Sequence, residues 1–68
     1  MQKTINVEGM MCVKCEGRVT KALNALEGVE VVKVSHEENV AVVEAADSVA
    51  DQTLVDAVVN AGYAAAMA

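Results

Sequence analysis

The apolar residues change period along the chain, and the order of those changes restricts the fold more than any other feature. Gln2 to Glu8 alternates, with Lys3, Ile5 and Val7 on one face and Gln2, Thr4, Asn6 and Glu8 on the other. That is the pattern of a half-buried strand. Gly9 ends it and opens a loop carrying Met10, Met11, Cys12, Val13 and Lys14. From about Cys15 to Leu26 the spacing turns helical, and Val19, Ala22, Leu23 and Leu26 share a face. Gly28 follows as a helix-end signal. Val29 to Ser35 is rich in β-branched residues and reads as a second strand. The polar turn His36-Glu37-Glu38-Asn39 joins it to a third, Val40 to Ala45, as an antiparallel hairpin. Ser48 is the expected N-cap of a second helix, with Asp51 favourably placed near its N-terminus. Leu54, Val55, Val58 and Val59 form its apolar stripe, and Gly62 closes it. Tyr63 to Met67 reads as a short last strand, although its alanines have weak strand propensity.

The order strand-helix-strand-strand-helix-strand predicts an α+β fold of the ferredoxin-like βαββαβ kind. It implies a four-stranded antiparallel sheet with two helices on one face and water on the other. The 68 residues suffice for a single domain spanning 1–68. With no Phe or Trp and one Tyr, the core must be built from small side chains that bury little area each. The metal-free form is therefore expected to be modestly stable, and a bound ion to raise that stability by mass action. In this topology the loop after the first strand lies near the one before the last, which brings Tyr63 close to Cys12 and Cys15.

The net charge of −5 argues against nucleic acid and anionic membrane surfaces, where a basic face would supply the affinity. It is compatible with docking to a basic patch on a protein partner. No apolar stretch approaches membrane-spanning length, and the N-terminus lacks a signal-peptide block. Cytoplasmic location and a free-standing chain starting at Met1 are the expectations, with no membrane insertion.

The two cysteines, Cys12 and Cys15, stand too close together for a disulfide to constrain much of the unfolded chain. In a reducing compartment such a pair is metal-binding or redox-active. Two thiolates separated by two residues converge on one soft ion. Structural zinc sites need four protein ligands and iron–sulfur clusters commonly need four cysteines. Only one further soft-metal donor of the histidine type, His36, is present. The ligand count thus favours Cu(I), which tolerates low coordination. Cys15 falls at a helix start and Lys14 adds positive charge, and both should lower a thiol pKa. A partly exposed two-ligand ion can be passed on, an incoming thiolate joining before one of the pair leaves. Cys12 on the loop is the expected mobile ligand and Cys15 on the helix the anchored one.

Gly9-Met10-x-Cys12-x-x-Cys15, with Val19, Ala22, Leu23, Gly28-Val29 and Gly62-Tyr63, resembles the heavy-metal-associated domain family. That family includes bacterial copper chaperones, N-terminal modules of copper-exporting P-type ATPases and mercury-binding proteins. The resemblance covers nearly the whole chain. It implies a non-enzymatic metallochaperone that binds Cu(I) through Cys12 and Cys15 and hands it to a similar domain of an exporting ATPase. It implies that Met10 packs beneath the loop and that Tyr63 stands near the metal. Zinc- and cadmium-favouring members often carry a carboxylate directly before the first cysteine. Met11 occupies that position here, which favours copper. Gly17 departs from good helix composition, at a cost of about 1 kcal/mol relative to Ala.

Each residue also has an ordinary reading. Met10 and Met67 are expected in the core, Met11 on the surface, His36 solvated and far from the cysteines. Lys14 and Tyr63 are expected around the metal loop. A thiol–disulfide oxidoreductase is the main enzymatic alternative. The chain has no proline, so it lacks the cis-proline of thioredoxin-like sites, and it lacks their tryptophan as well. A cytoplasmic carrier of Hg(II), or a module excised from a larger transporter, uses the same chemistry. A dithiolate loop also accepts Cd(II) or Zn(II) in vitro, and two such loops can share copper across a metal-bridged dimer.

Overall fold

In the computed structural model, which describes residues 1–68, the alternating segment forms β1 (Gln2–Glu8) inside the sheet. Ile5 and Val7 are fully buried while Asn6 and Glu8 are exposed, so one face of the strand is core and the other is wet. Lys3 also points to the core side; its stem is half-buried and its Nζ reaches Asp51 at 2.9 Å at the margin. The remaining elements are α1 (Val13–Asn24), β2 (Val29–Ser35), β3 (Val40–Ala45), α2 (Asp51–Asn60) and β4 (Ala64–Met67). The strands form one antiparallel sheet in the order β2-β3-β1-β4. This is the expected βαββαβ ferredoxin-like arrangement.

Ile5 pairs with Ala41 of β3 and with Met67 of β4, which fixes the register on both sides of β1. The core gathers on one sheet face. It joins Ile5, Val7, Ala41, Val43 and Ala45 of the sheet to Val19 and Leu23 of α1, Leu54 and Val58 of α2, and Met10. No aromatic ring contributes a fully buried side chain. Truncating Leu23 or Leu54 to Ala would therefore remove a large part of the packing, at about 2–5 kcal/mol each. β4 forms despite its alanines because β1 supplies its partner backbone from Ile5 to Glu8. Tertiary pairing outweighs local propensity there.

Four local details differ from expectation. α1 begins at Val13, two positions before Cys15, because extended Cys12 acts as its N-cap. The Cys12 carbonyl accepts from the N–H of Cys15 at 3.0 Å and of Glu16 at 3.3 Å. Ser48 does not cap α2; the N-cap is Ala50 and makes no side-chain bond. The turn from Ala46 to Val49 is held by Val49 N–H to the Ala46 carbonyl at 2.9 Å, which seats Val49 against Gly28 and leaves Ser48 exposed in the turn. β2 is interrupted by an irregularity between Val31 and Lys33. Val32 is the extra residue; it is 56% exposed, and Val34 returns to the core side. Finally, α2 buries Leu54 and Val58 but leaves Val59 exposed. No helix is long and apolar enough to cross a membrane.

Two glycines on the chain should respond oppositely to alanine. A Cβ at Gly17 meets nothing within 4 Å, whereas at Gly28, with φ +81, it stands 3.2 Å from Ala46 Cβ. Gly17→Ala is expected to raise unfolding stability by about 1 kcal/mol, and Gly28→Ala to lower it by about 1–2 kcal/mol. Urea titration followed by circular dichroism measures both, and a lower midpoint for Gly17→Ala would contradict the open helix surface.

Candidate metal centre

β1 runs toward the cysteine loop and pairs antiparallel with both neighbours, so three connections share one end of the sheet. Asn6 lies opposite Val40, the first residue of β3, and Glu8 opposite Ala64, the first residue of β4. The β2–β3 turn and the α2–β4 turn therefore flank the Gly9–Cys12 loop. Val7 N–H to the Asn39 carbonyl at 2.8 Å ties the first of these turns to β1.

Met10 anchors the loop from below, 5% exposed and part of the core. The next residues turn outward. Met11 is 83% exposed and Val13 is 70% exposed, and Cys12 between them is exposed too. Cys15, in the first turn of α1, is half-buried and packs against the core. Both cysteines are free thiols. None of the surface grooves is lined by a cysteine, so this is a projecting loop and not a pocket. No third His, Cys, Asp or Glu joins the pair in a cluster.

The second turn supplies Tyr63, as the topology requires. Its ring lies 3.5 Å from where a Cβ on Gly9 would stand, and Gly9 has φ +99. Both the backbone and the close ring demand glycine there. The Tyr63 hydroxyl stands close enough to Cys15 for each to shift the other's titration. The Cys15 thiol is lowered from 9.0 to about 7, first by the backbone N–H of Met11, then by Tyr63, with burial opposing. Tyr63 in turn is raised, chiefly by Cys15, so it keeps its proton; Arg18 beside it pulls the other way. Lys14 is exposed between the cysteines.

The expectation that His36 is a solvated surface residue is corrected, although it joins no donor cluster with the cysteines. Its hairpin turn stands at the cysteine end, and His36 is only 27% exposed. Glu16, the residue after Cys15, accepts at one oxygen from His36 N–H at 2.7 Å and bonds His36 Nδ1 at 2.5 Å. The backbone and then the ring of His36 hold the Glu16 carboxyl below its usual range. Arg18 was the other residue not singled out. Lys14, Arg18 and Lys21 recur at helical spacing on the exposed side of α1. They make no ion pair, whereas Lys3 binds Asp51 and Lys33 binds Glu38. The spacing alone was sufficient to find this row.

The heavy-metal-associated domain family matches residues 4–64. The chain belongs to this family. Among curated relatives, "Copper chaperone CopZ" of Staphylococcus aureus is 40% identical over 63 residues, covering 91% of this chain and 93% of that protein. "Mercuric reductase" of Shewanella putrefaciens is 36% identical over 61 residues, covering 90% of this chain but only 11% of that enzyme. The likeness thus extends to one small part of the reductase. Among solved structures, oxidized MerP from Ralstonia metallidurans CH34 is 37% identical with a TM-score of 0.90, covering 98% of this chain and 94% of that one. The N-terminal domain of a potential copper-translocating P-type ATPase from Bacillus subtilis, in its Cu(I)-loaded state, is 30% identical with a TM-score of 0.87. It covers 97% of this chain and 84% of that one. The family members share the βαββαβ sheet described above.

The lowered Cys15 thiol makes a pH-dependent prediction. A folded pKa of about 7 lies below the ordinary 9.0, so the fold favours the thiolate. Its contribution to stability is complete above 9.0 and is lost as pH falls through about 7. In a Cys12→Ser background, iodoacetamide should modify Cys15 with a midpoint near neutral pH, and Tyr63→Phe should move that midpoint upward. An unmoved midpoint would show that the Tyr63 hydroxyl does not stabilise the thiolate.

Proposed function

We propose that this chain is a cytoplasmic metallochaperone that carries Cu(I) between Cys12 and Cys15 and delivers it to a similar domain of a metal-transporting P-type ATPase. The observation that carries this reading is the unequal setting of the two thiols on a projecting loop. Cys15 is half-buried with its thiol lowered to about 7, while Cys12 is exposed at the helix N-cap. Two soft thiolates with no third donor suit Cu(I) and leave a divalent zinc ion under-coordinated. The likeness to the copper chaperone of S. aureus and to the Cu(I)-loaded ATPase domain supports the same metal and the same kind of partner.

Transfer follows from exposure. A partner thiolate approaches the open side, binds the ion to make a three-sulfur intermediate, and displaces Cys12 first. A second partner thiolate then displaces Cys15, which the setting beside Met11 N–H and the Tyr63 hydroxyl holds longest. The ion changes neither oxidation state nor net thiolate count, so no oxidant or reductant is consumed, and the chain is a carrier and not an enzyme. Met11 and Val13 offer an apolar rim around Cys12, and unpaired Lys14, Arg18 and Lys21 offer positive charge beside it. The receiving surface should therefore carry carboxylates. This reverses the partner charge that the net balance of the whole chain first indicated, because the acidic excess lies elsewhere.

A second reading has its own support. The likeness to MerP and to part of mercuric reductase favours Hg(II), which two thiolates also hold. Competition titrations of reduced protein with Cu(I), Hg(II) and Zn(II), beside Cys12→Ser and Cys15→Ser, separate these. Sub-micromolar Cu(I) retention lost in both variants is expected. Retention unchanged in either variant would refute the site, and retention of Hg(II) without Cu(I) would move the assignment to mercury. Cu(I) transfer to a copper ATPase domain should slow with rising ionic strength. Lys21→Glu, which touches neither cysteine nor Tyr63, should slow it several-fold without changing Cu(I) affinity.

A further inference from the structure

The strand order β2-β3-β1-β4 leaves two free edges, β2 and β4. An edge presents unpaired N–H and C=O groups to any other strand, and folded chains usually block it. The β2 edge is blocked in three ways. The irregularity at Val32 breaks its line. Asn24 Oδ1 accepts from Val31 N–H at 3.3 Å. Lys33 sets a charge on it, paired with Glu38. The β4 edge has none of these. Tyr63 to Ala68 contains no charged residue and no proline, and the register of β4 on β1 runs without a break from Ala64 to Met67.

Backbone alternation shows which groups are open. Ala68 N–H donates to the Thr4 carbonyl at 3.0 Å, while Val7 N–H turns the other way, to Asn39. Thr4, Asn6 and Glu8 thus face β4. Asn6 lies opposite Ala66 and Glu8 opposite Ala64, so Ala64 and Ala66 direct their polar groups to β1, and Ala65 and Met67 direct theirs outward. The flank of this edge is apolar. On α1, the residues just after core-packed positions turn toward the β2 edge. Glu16 follows Cys15 and bonds His36, and Asn24 follows Leu23 and bonds Val31. α2 lies on the same sheet face, packs against β4 and runs the opposite way. The residues just after its buried positions, Val55 after Leu54 and Val59 after Val58, therefore turn toward the β4 edge. Val59 is 49% exposed.

We propose that the β4 edge docks a second copy of this chain, the two β4 strands pairing antiparallel about Ala66. The pairing is self-matching. Ala65 of each copy lies opposite Met67 of the other, and each such pair exchanges both N–H···O bonds. The open run starts at Ala65, because Tyr63 N–H is already bonded to the Val58 carbonyl. A copy of the same short strand fits that run residue for residue. Neither the strand nor the two valines carries charge, so the seam adds no repulsion, and the valines of both copies cover its helix side. So small a contact falls below the roughly 1,200–2,000 Å² of a stable interface, so association is weak and reversible. The cysteine loops stand at opposite ends of the joined sheet. The dimer therefore needs no metal and leaves both loops open.

The test is sedimentation velocity and amide-exchange NMR on the reduced full chain, with excess chelator, across a concentration series reaching about 1 mM, the weak end of the affinity range. Dimer is expected to appear with concentration. The amides of Ala65 and Met67 should gain protection as it forms, while those of Ala64 and Ala66, already bonded to β1, should not. Val59→Lys, at an exposed site, should weaken association by about tenfold. Ala65→Pro, which removes an outward donor where an edge strand tolerates proline, should abolish it. The Val59→Lys arm and the amide map stand even where Ala65→Pro does not fold. Association unchanged in Val59→Lys, or concentration-dependent protection at the cysteine loop in place of β4, overturns the proposal. A chain that stays monomeric throughout also overturns it, and leaves the edge to a strand from another protein. None of these outcomes bears on Cu(I) retention by Cys12 and Cys15.

Discussion

β1 is hydrogen-bonded on both sides, to β3 and to β4, and each pairing is antiparallel. This double pairing decides which parts of the chain meet. The end of β1 that opens the cysteine loop is necessarily the end where β3 and β4 begin. The turn before β3 brings His36 to Glu16 and the turn before β4 brings Tyr63 to Cys15, so residues distant in sequence meet at the cysteine end. The buried alternation of Ile5 and Val7 sets the register, since a one-residue slip would turn both to water. Met10 continues that burial past Gly9 and pins the loop to the core. The chemistry of the loop rests on an apolar pattern that lies outside it.

Around that anchor the chain divides its charges. Ten acidic residues outnumber five basic ones, yet the exposed side of α1 is cationic. Lys3 and Lys33 are spent on local carboxylates, which leaves Lys14, Arg18 and Lys21 facing outward together. Acidity keeps a small apolar domain apart from its copies and from polyanions, while the cationic row gives the cysteine end a distinct sign. Glu16 is the exception within α1, and His36 binds it. Each thiol also has its own environment. Tyr63 and the Met11 N–H serve Cys15, while Cys12 stays open at the N-cap. That inequality favours a carrier, which must hold an ion with one hand and release it with the other.

Much of this was legible in the sequence. The two periodicities placed all six elements in order, and the ferredoxin-like topology followed from that order. The cysteine motif and the approach of Tyr63 could both be read without coordinates. What escaped was set by tertiary contact. Ser48 has better capping chemistry than Ala50, but the seating of Val49 on the turn beside Gly28 decided where α2 begins. Cys12 as N-cap was hidden because cysteine carries no capping signal and its role depends on extended backbone. The irregularity at Val32 is invisible in a run of β-branched residues, where either phase looks apolar. The Glu16–His36 bridge spans twenty positions, and only the antiparallel register, followed through to the far hairpin, brings its ends together.

The central claim is that the two cysteines, unaided by nitrogen or oxygen, form the copper site. X-ray absorption at the copper edge of the Cu(I)-loaded protein tests it most directly. The account predicts a shell of two sulfur donors with no nitrogen or oxygen scatterer, unaltered by replacing His36. A nitrogen shell that disappears with His36, or a two-sulfur shell that persists in Cys12→Ser, would contradict it.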